Sequence, residues 1–354
     1  MLLTSTNFYN LLFQLTKLSL IACFTISVIG CFNADTLQSN TTEHSTGFAI
    51  KGISMVAPVK SIDESSLQQI INVNANSIAL MPYAFCNPEN PVIKYNHKGQ
   101  WWGESDEGVI GCIQLAHKKK LSVMLKPHLW IGHGIYTGAF TLHTEKDWQL
   151  WEESYREYIV HFATIADSLK AELFCIGTEL GATIKERPQF WISLIDTIKQ
   201  IYHGKLTYAG NWDDYKKFPF WQKLDYVGVD AYFPLDTDKT PSVKSLKKGW
   251  KKYSDELEKL SIKLNRPILF TEYGYRNVDY TGAEPWKENE GSQNDEAQAN
   301  ALESFYQTFA GKKWFAGGFV WKWYIDSSHR GRDKIDFTPQ NKPAAKVLEK
   351  WYSN

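Results

Sequence analysis

The feature that most constrains this chain is a strict alternation. From Gly47 onward, short apolar or β-branched runs take turns with longer amphipathic stretches, and the pattern continues without a break to the last helix-like segment. Strand-like runs fall at Gly47–Val56, Asn76–Phe85, Leu121–Trp130, Glu172–Glu179, Lys205–Asn211, Tyr226–Pro234, Pro267–Tyr275 and Gly317–Tyr324. Helical spacing of apolar residues fills the intervals, at Ser65–Val73, Val109–Lys120, Glu145–Lys170, Pro188–Tyr202, a short piece near Phe220, Val243–Leu264, Asn294–Phe309 and Ala344–Tyr352. Pro188 suits the first turn of a helix, and Asn294 suits a cap. Strands that each feed a crossover helix run parallel. Eight such pairs close into a ring more readily than they spread into an open sheet, so the expected fold is α/β, a single (β/α)8 TIM barrel over residues 47–354. No glycine-rich phosphate fingerprint follows the first run, which argues against a dinucleotide-binding fold.

The segment ahead of the barrel reads differently. Lys17 precedes an apolar stretch from Leu18 to Ile29, short for a bilayer span and typical of an export signal. It ends in Val28–Ile29–Gly30–Cys31, which resembles the lipobox of bacterial lipoproteins, where the cysteine is acylated and becomes the mature N-terminus. Residues 1–30 are therefore expected to be a lipoprotein signal peptide, with Cys31 as the lipidation site. Residues 31–46 are polar and aperiodic, as a flexible tether would be. The implied location is the bacterial cell envelope, with the chain lipid-anchored at the periplasmic face or the cell surface. Cys86, Cys112 and Cys175 remain in the barrel, an odd number without metal-like spacing, so no disulfide framework is expected.

In a barrel of this kind, function gathers at the C-terminal ends of the strands. The third run delivers Lys126 and His128, the fourth Thr178 and Glu179, and the fifth Asn211. The sixth delivers Asp230 and Tyr232, the seventh Glu272, and the eighth Trp321 and Lys322. Two apolar strands that each end in a glutamate stand out, because a buried carboxylate without a partner costs several kcal/mol. Salt bridges from Glu179 and Glu272 to Lys126, Lys322 or Arg276 would be a purely structural reason for them. Paired carboxyls among aromatic side chains are also what glycoside cleavage needs: one protonated to donate to the leaving oxygen, the other ionised to attack the anomeric carbon. A separation of about 5–5.5 Å between them means retention by double displacement.

Glutamates ending the fourth and seventh strands are the signature of the clan A glycoside hydrolases. The pieces KGIS, KPHLW, IGTEL, DYVGVDAYFPL, FTEYGY and GGFVWKWY, spread from Lys51 to Tyr324, most resemble glycoside hydrolase family 113. That resemblance implies Glu179 as acid/base, Glu272 as nucleophile, and β-1,4-linked mannan or manno-oligosaccharides as substrate. It also implies no cofactor. Many clan members place Asn before the acid/base, whereas this chain has Thr178, and Asn211 at the next strand tip is positioned to supply an amide instead. Lys126, His128, Asn211, Asp230, Tyr232 and Trp321 are the expected substrate-binding residues. Tyr232 is suited to bond the nucleophile, and Trp321 to stack on a pyranose face. Gln100–Trp102, in the loop after the second run, offers a further subsite.

Composition narrows the partners. A formal net charge of +0 gives no reason to expect nucleic acid, and 14 Trp exceed what core filling asks for. A β-linked polysaccharide or oligosaccharide, and the membrane through the lipid anchor, are the expected partners of a monomer. A non-catalytic glycan-binding lipoprotein, or a glycosidase for another β-linked glycan, would share these features. His128 and His133 also invite a metallohydrolase reading, but such sites draw His and Asp from several strand tips and the first, fifth and eighth runs offer no His, so no metal is expected.

Overall fold

The computed structural model describes residues 48–287, 291–325 and 335–353. The expected signal peptide, Cys31 and the tether lie outside the described residues. Strands β1 (Ile50–Met55), β2 (Ser77–Leu80), β3 (Tyr83–Asn87), β4 (Asn90–Lys94), β5 (Ser122–Leu125) and β6 (His128–Ile131) come first. They are followed by β7 (Leu173–Thr178), β8 (Lys205–Asn211), β9 (Val227–Asp230), β10 (Ile268–Tyr273) and β11 (Phe315–Trp323). The helices are α1 (Gln68–Asn72), α2 (Asp106–Lys118), α3 (Glu145–Ser168), α4 (Gly181–Glu186), α5 (Pro188–Ile201), α6 (Val243–Leu264), α7 (Asp295–Phe309) and α8 (Pro343–Tyr352).

Eight strands close a barrel in the order β1-β11-β10-β9-β8-β7-β5-β2, and every neighbouring pair recorded in it is parallel. Strand alternation sorts the side chains into two cores. Ala79, Met124, Leu173, Leu269 and Phe319 point inward and fill the barrel. Ile78, Leu80, Val123, Phe174 and Phe270 point outward against the helices. The helix ends follow local chemistry: Thr144 caps α3 by accepting from the Asp147 amide, and Asn294 caps α7 by accepting from Ala297. The seam between β1 and β11 depends on Gly317, which has φ +115°; a Cβ there would stand 2.0 Å from the Ile50 carbonyl oxygen.

Two expectations are corrected. Asn76–Phe85 and Leu121–Trp130 each read as one strand, yet each breaks at a proline, Pro82 and Pro127, which cannot donate to the ladder. Beyond the breaks, β3 and β6 pair with each other in parallel, and β4 adds an antiparallel edge, making a small second sheet. Tyr158 from α3 supports the break points. Its hydroxyl lies 2.8 Å from the Pro82 carbonyl oxygen and 3.0 Å from that of His128, with one proton shared between them. The crossover after β8 holds, among the described residues, 3-10 turns at Tyr215–Lys217 and Trp221–Lys223, the second of them at the short helical piece expected near Phe220.

Candidate active site

The strand tips surround a hollow of about 780 Å³, within the usual range for a small-ligand site. Its floor is an ion network. Lys126, wholly buried, donates to Glu272 Oε1 at 2.6 Å and to both oxygens of Asp230 at 3.0 and 3.2 Å. Thr271 donates to Asp230 Oδ1 at 2.7 Å, and the Tyr232 hydroxyl donates to Glu272 Oε2 at 2.8 Å. Burial works to neutralise Lys126, but Asp230 and Glu272 outweigh it and hold the ammonium above its ordinary range. For Glu272, burial and Asp230 push the carboxyl up, whereas Lys126 and the Tyr232 hydroxyl favour the ionised form.

Glu179 stands across the same hollow under different conditions. Desolvation, then Asp230 and Glu272, raise its pKa well above the ordinary carboxyl value, with Lys126 opposing them. Among the described residues no donor hydrogen-bonds its carboxyl, so Glu179 is the member of the pair less stabilised in its ionised form. Its backbone sits at φ +54°, in the left-handed region that non-glycine residues seldom occupy and that recurs at functional sites. The next turn is tight as well: a Cβ on Gly181 would meet Asp214 Oδ2 at 2.3 Å.

The remaining expected residues take distinct places. His128 lies under Trp321, its ring parallel within 2° at a centroid distance of 6.3 Å. Burial, then Lys126, hold His128 well below its usual pKa, hence neutral. Its Nε2 is 3.6 Å from Glu272 Oε1, beyond hydrogen-bond reach, and has no partner among the described residues. Thr178 Oγ1 is likewise buried, without a nitrogen or oxygen partner. Asn211 donates to the Tyr136 hydroxyl at 2.6 Å while its side-chain oxygen accepts from the Trp212 amide at 2.8 Å.

Glu179, Glu272, His128, Asn211, Asp230, Tyr232 and Trp321 all line the hollow. Lys126 does not. It was expected to bind substrate, but it lies beneath the surface, where its charge is spent on Glu272 and Asp230. Lys322 leans instead toward Asp336, at 3.7 Å. His133 is exposed, apart from buried His128, and among the described residues no group of three or more His, Cys, Asp or Glu is placed to hold a metal ion. The sequence reading missed Tyr136 and Trp286, both exposed on the wall, because loop aromatics carry no periodicity. Trp286 stacks on Trp212 at 4.7 Å and 22°.

A family model described as Glycoside Hydrolase Family 113 matches residues 59–342. Among solved structures, the chain is similar to the GH113 β-mannanase AaManA from Alicyclobacillus acidocaldarius in complex with ManMIm. The two are 23% identical, the match covers 88% of this chain and 99% of that one, and the TM-score is 0.76. A complex structure of a GH113 β-1,4-mannanase matches at 22% identity, 87% and 99% coverage and a TM-score of 0.75. The β-glucuronidase of Ruminococcus gnavus matches more distantly, at 12% identity over 86% of this chain and 50% of that one, with a TM-score of 0.60. At these identities the structural likeness speaks for the barrel fold. No curated protein matches the sequence.

Proposed function

The chain belongs to glycoside hydrolase family 113, and from that premise we propose that it cleaves β-1,4-mannan or manno-oligosaccharides with retention, using Glu272 as nucleophile and Glu179 as acid/base. The observation that carries the assignment of roles is the unequal setting of the two carboxyls. Glu272 accepts from Lys126 and Tyr232, and Glu179 has no such donor. The mannan specificity is supported by the β-mannanases among the similar structures.

In the first step Glu272 attacks the anomeric carbon. The bond from that carbon to the glycosidic oxygen breaks, and Glu179 gives its proton to the departing oxygen. In the second step a water oxygen attacks the same carbon, Glu179 takes the water proton, and the ester bond to Glu272 breaks. Two inversions leave the configuration unchanged. Lys126 and Tyr232 orient the nucleophile, and Trp321 offers its face to the sugar beside His128.

The test is hydrolysis of mannan and other β-linked glycans, with the anomer of the first product read by NMR. Release of the β-anomer is expected. Glu272→Gln removes turnover altogether. Glu179→Gln costs far more on poor leaving groups than on activated aryl glycosides, because only the former need the proton. Equal losses on both would remove Glu179 from the acid role, and binding without release of sugar would favour a glycan-binding protein.

The same proposal includes acylation of Cys31, with a monomer held at the envelope by that lipid. The export-like segment ending at Cys31 supports the anchor. Cys31→Ser should move the protein from the membrane fraction to the soluble fraction. Retention in the membrane would reject the anchor.

A further inference from the structure

The strands of the ring run parallel, so the turns that lead into them gather at the underside of the barrel, opposite the catalytic hollow. Two of these turns are neighbours. Residues 265–267 lead from α6 into β10, and residues 310–314 lead from α7 into β11, with the Ile268 amide donating to the Trp314 carbonyl at 2.9 Å. The end of α6 brings exposed Lys259 and Lys263 to this place, and the turn before β11 brings exposed Lys313 and half-buried Lys312. None of these four lysines makes an ion pair among the described residues. Lys312 lies 5.5 Å from the centre of the Trp314 ring, and Arg266 spends its donors on the carbonyls of Gln222, Leu224 and Asn265, which fixes both turns. Against the cations stand Asp255, already paired with Lys251 at 2.8 Å, and half-buried Glu258.

Ile262 stands among these lysines. It is 71% exposed, the most exposed large apolar side chain among the described residues. Lys259 lies about one helical turn before it and Lys263 directly after it. A lone apolar group on a surface is ordinary. An apolar group set among lysines suits a membrane interface, where the apolar tip enters the headgroup layer and the ammonium groups meet phosphates. The whole chain has a formal net charge of +0. Its cations collect at the underside, whereas the opposite end holds Glu179, Asp213, Asp230 and Glu272 around the hollow.

The chain enters the barrel domain beside this patch. Phe48, just ahead of β1, packs its ring against Phe315 at 5.8 Å and Phe305 at 6.2 Å, and Phe315 follows Trp314 in the sequence. From Cys31 to Phe48 the chain spans no more than about 60 Å even when fully extended. With Cys31 acylated, the patch therefore meets the headgroups at roughly millimolar effective concentration, where weak attraction is enough to set an orientation. We propose that the end of α6 and the turn before β11 dock on anionic phospholipid headgroups through Lys259, Lys263 and Lys313, so that the catalytic hollow opens away from the membrane. The orientation rests on the Cys31 anchor proposed above, whereas the attraction of the patch for anionic lipid does not.

The test places the full chain on vesicles of phosphatidylcholine alone and on vesicles with phosphatidylglycerol added. A water-soluble acylating reagent then modifies exposed amines, and mass spectrometry reads the rate at each lysine. Lys259, Lys263 and Lys313 should react at least about fivefold more slowly on the phosphatidylglycerol vesicles, the gain that a single lysine makes at an anionic surface. High salt should remove the difference. Lys244 and Lys248, exposed at the other end of α6, should react equally on both. The double variant Lys263→Gln/Lys313→Gln should lower the affinity gained from phosphatidylglycerol about 25-fold, at about fivefold per lysine, with an unchanged melting temperature. No difference between the two vesicles, equal protection of Lys244 and Lys248, or a double variant that keeps the whole gain overturns the proposal. The anchor is read separately from the mass of the N-terminal peptide, which carries the acyl chains if Cys31 is modified. If it lacks them the anchor fails, and protection is then measured against the protein free in solution, so that the phosphatidylglycerol vesicles still decide the patch.

Discussion

At the residue scale, the difference between Glu179 and Glu272 lies in their donors rather than in their burial. Tyr232 shows how this can be tested. Its hydroxyl donates to Glu272 Oε2 and favours the ionised carboxylate, so Tyr232→Phe raises the Glu272 pKa further. The sign follows directly. kcat/KM rises with pH as Glu272 loses its proton and falls as Glu179 loses its own, so the acid limb of the Tyr232→Phe profile moves to higher pH. The plateau should drop about ten- to a hundredfold, the range for a hydrogen bond to a charged group. An acid limb that stays in place would assign it to another group. Both glutamates were legible in the sequence because a carboxylate at the end of an apolar strand is costly without a purpose. The part played by Lys126 was not legible, since a lysine at a strand tip reads equally as a sugar ligand or as a buried counter-ion until the third dimension places Asp230 and Glu272 against it.

At the element scale, prolines rather than periodicity decide where the barrel ends. Strand β8 and helix α6 match their sequence expectation residue for residue, since Lys205–Asn211 and Val243–Leu264 have clear periods bounded by breakers. The small sheet of β3, β4 and β6 escaped notice because Pro82 and Pro127 lie inside apolar runs that continue on both sides. Helix α4 escaped because six residues are too few for a period. Tyr158 ties the resulting strand breaks to α3, and Tyr158→Phe removes the one hydroxyl proton that the Pro82 and His128 carbonyls share, although the Pro82 carbonyl still accepts from the His128 amide. That should destabilise the protein by about 0.5–1.5 kcal/mol and raise KM, because β6 carries His128 and Trp130 into the site. Thermal melting and initial rates on mannan check both effects. A lower melting temperature with unchanged KM would mean that the small sheet does not position substrate.

At the scale of the whole molecule, ring closure is the property on which the fold depends, and the alternation in the sequence announced it. The order of the ring, β1 beside β11, brings the two ends of the barrel domain together. The Tyr352 hydroxyl of α8 donates to the Gly52 carbonyl at 2.9 Å, and Lys51 Nζ donates to the Tyr352 carbonyl at 2.7 Å. Gly317→Ala therefore strains a closure rather than a surface loop, both by the positive φ and by collision with Ile50. A loss of more than about 2 kcal/mol by urea unfolding is expected, since strained backbone and overpacking each cost at least 1 kcal/mol. A neutral effect would mean that the seam relaxes without cost.

The floor network carries two formal negative charges, on Glu272 and Asp230, against one positive charge on Lys126. Once Glu272 is esterified to a sugar it loses its charge, Lys126 and Asp230 balance, and the share of the repulsion that Glu272 had contributed to keeping the proton on Glu179 is removed. The acidity of Glu179 is thereby coupled to progress along the reaction. The group is reluctant to ionise before the bond breaks and readier to stay ionised afterwards, when a water molecule must be relieved of its hydrogen.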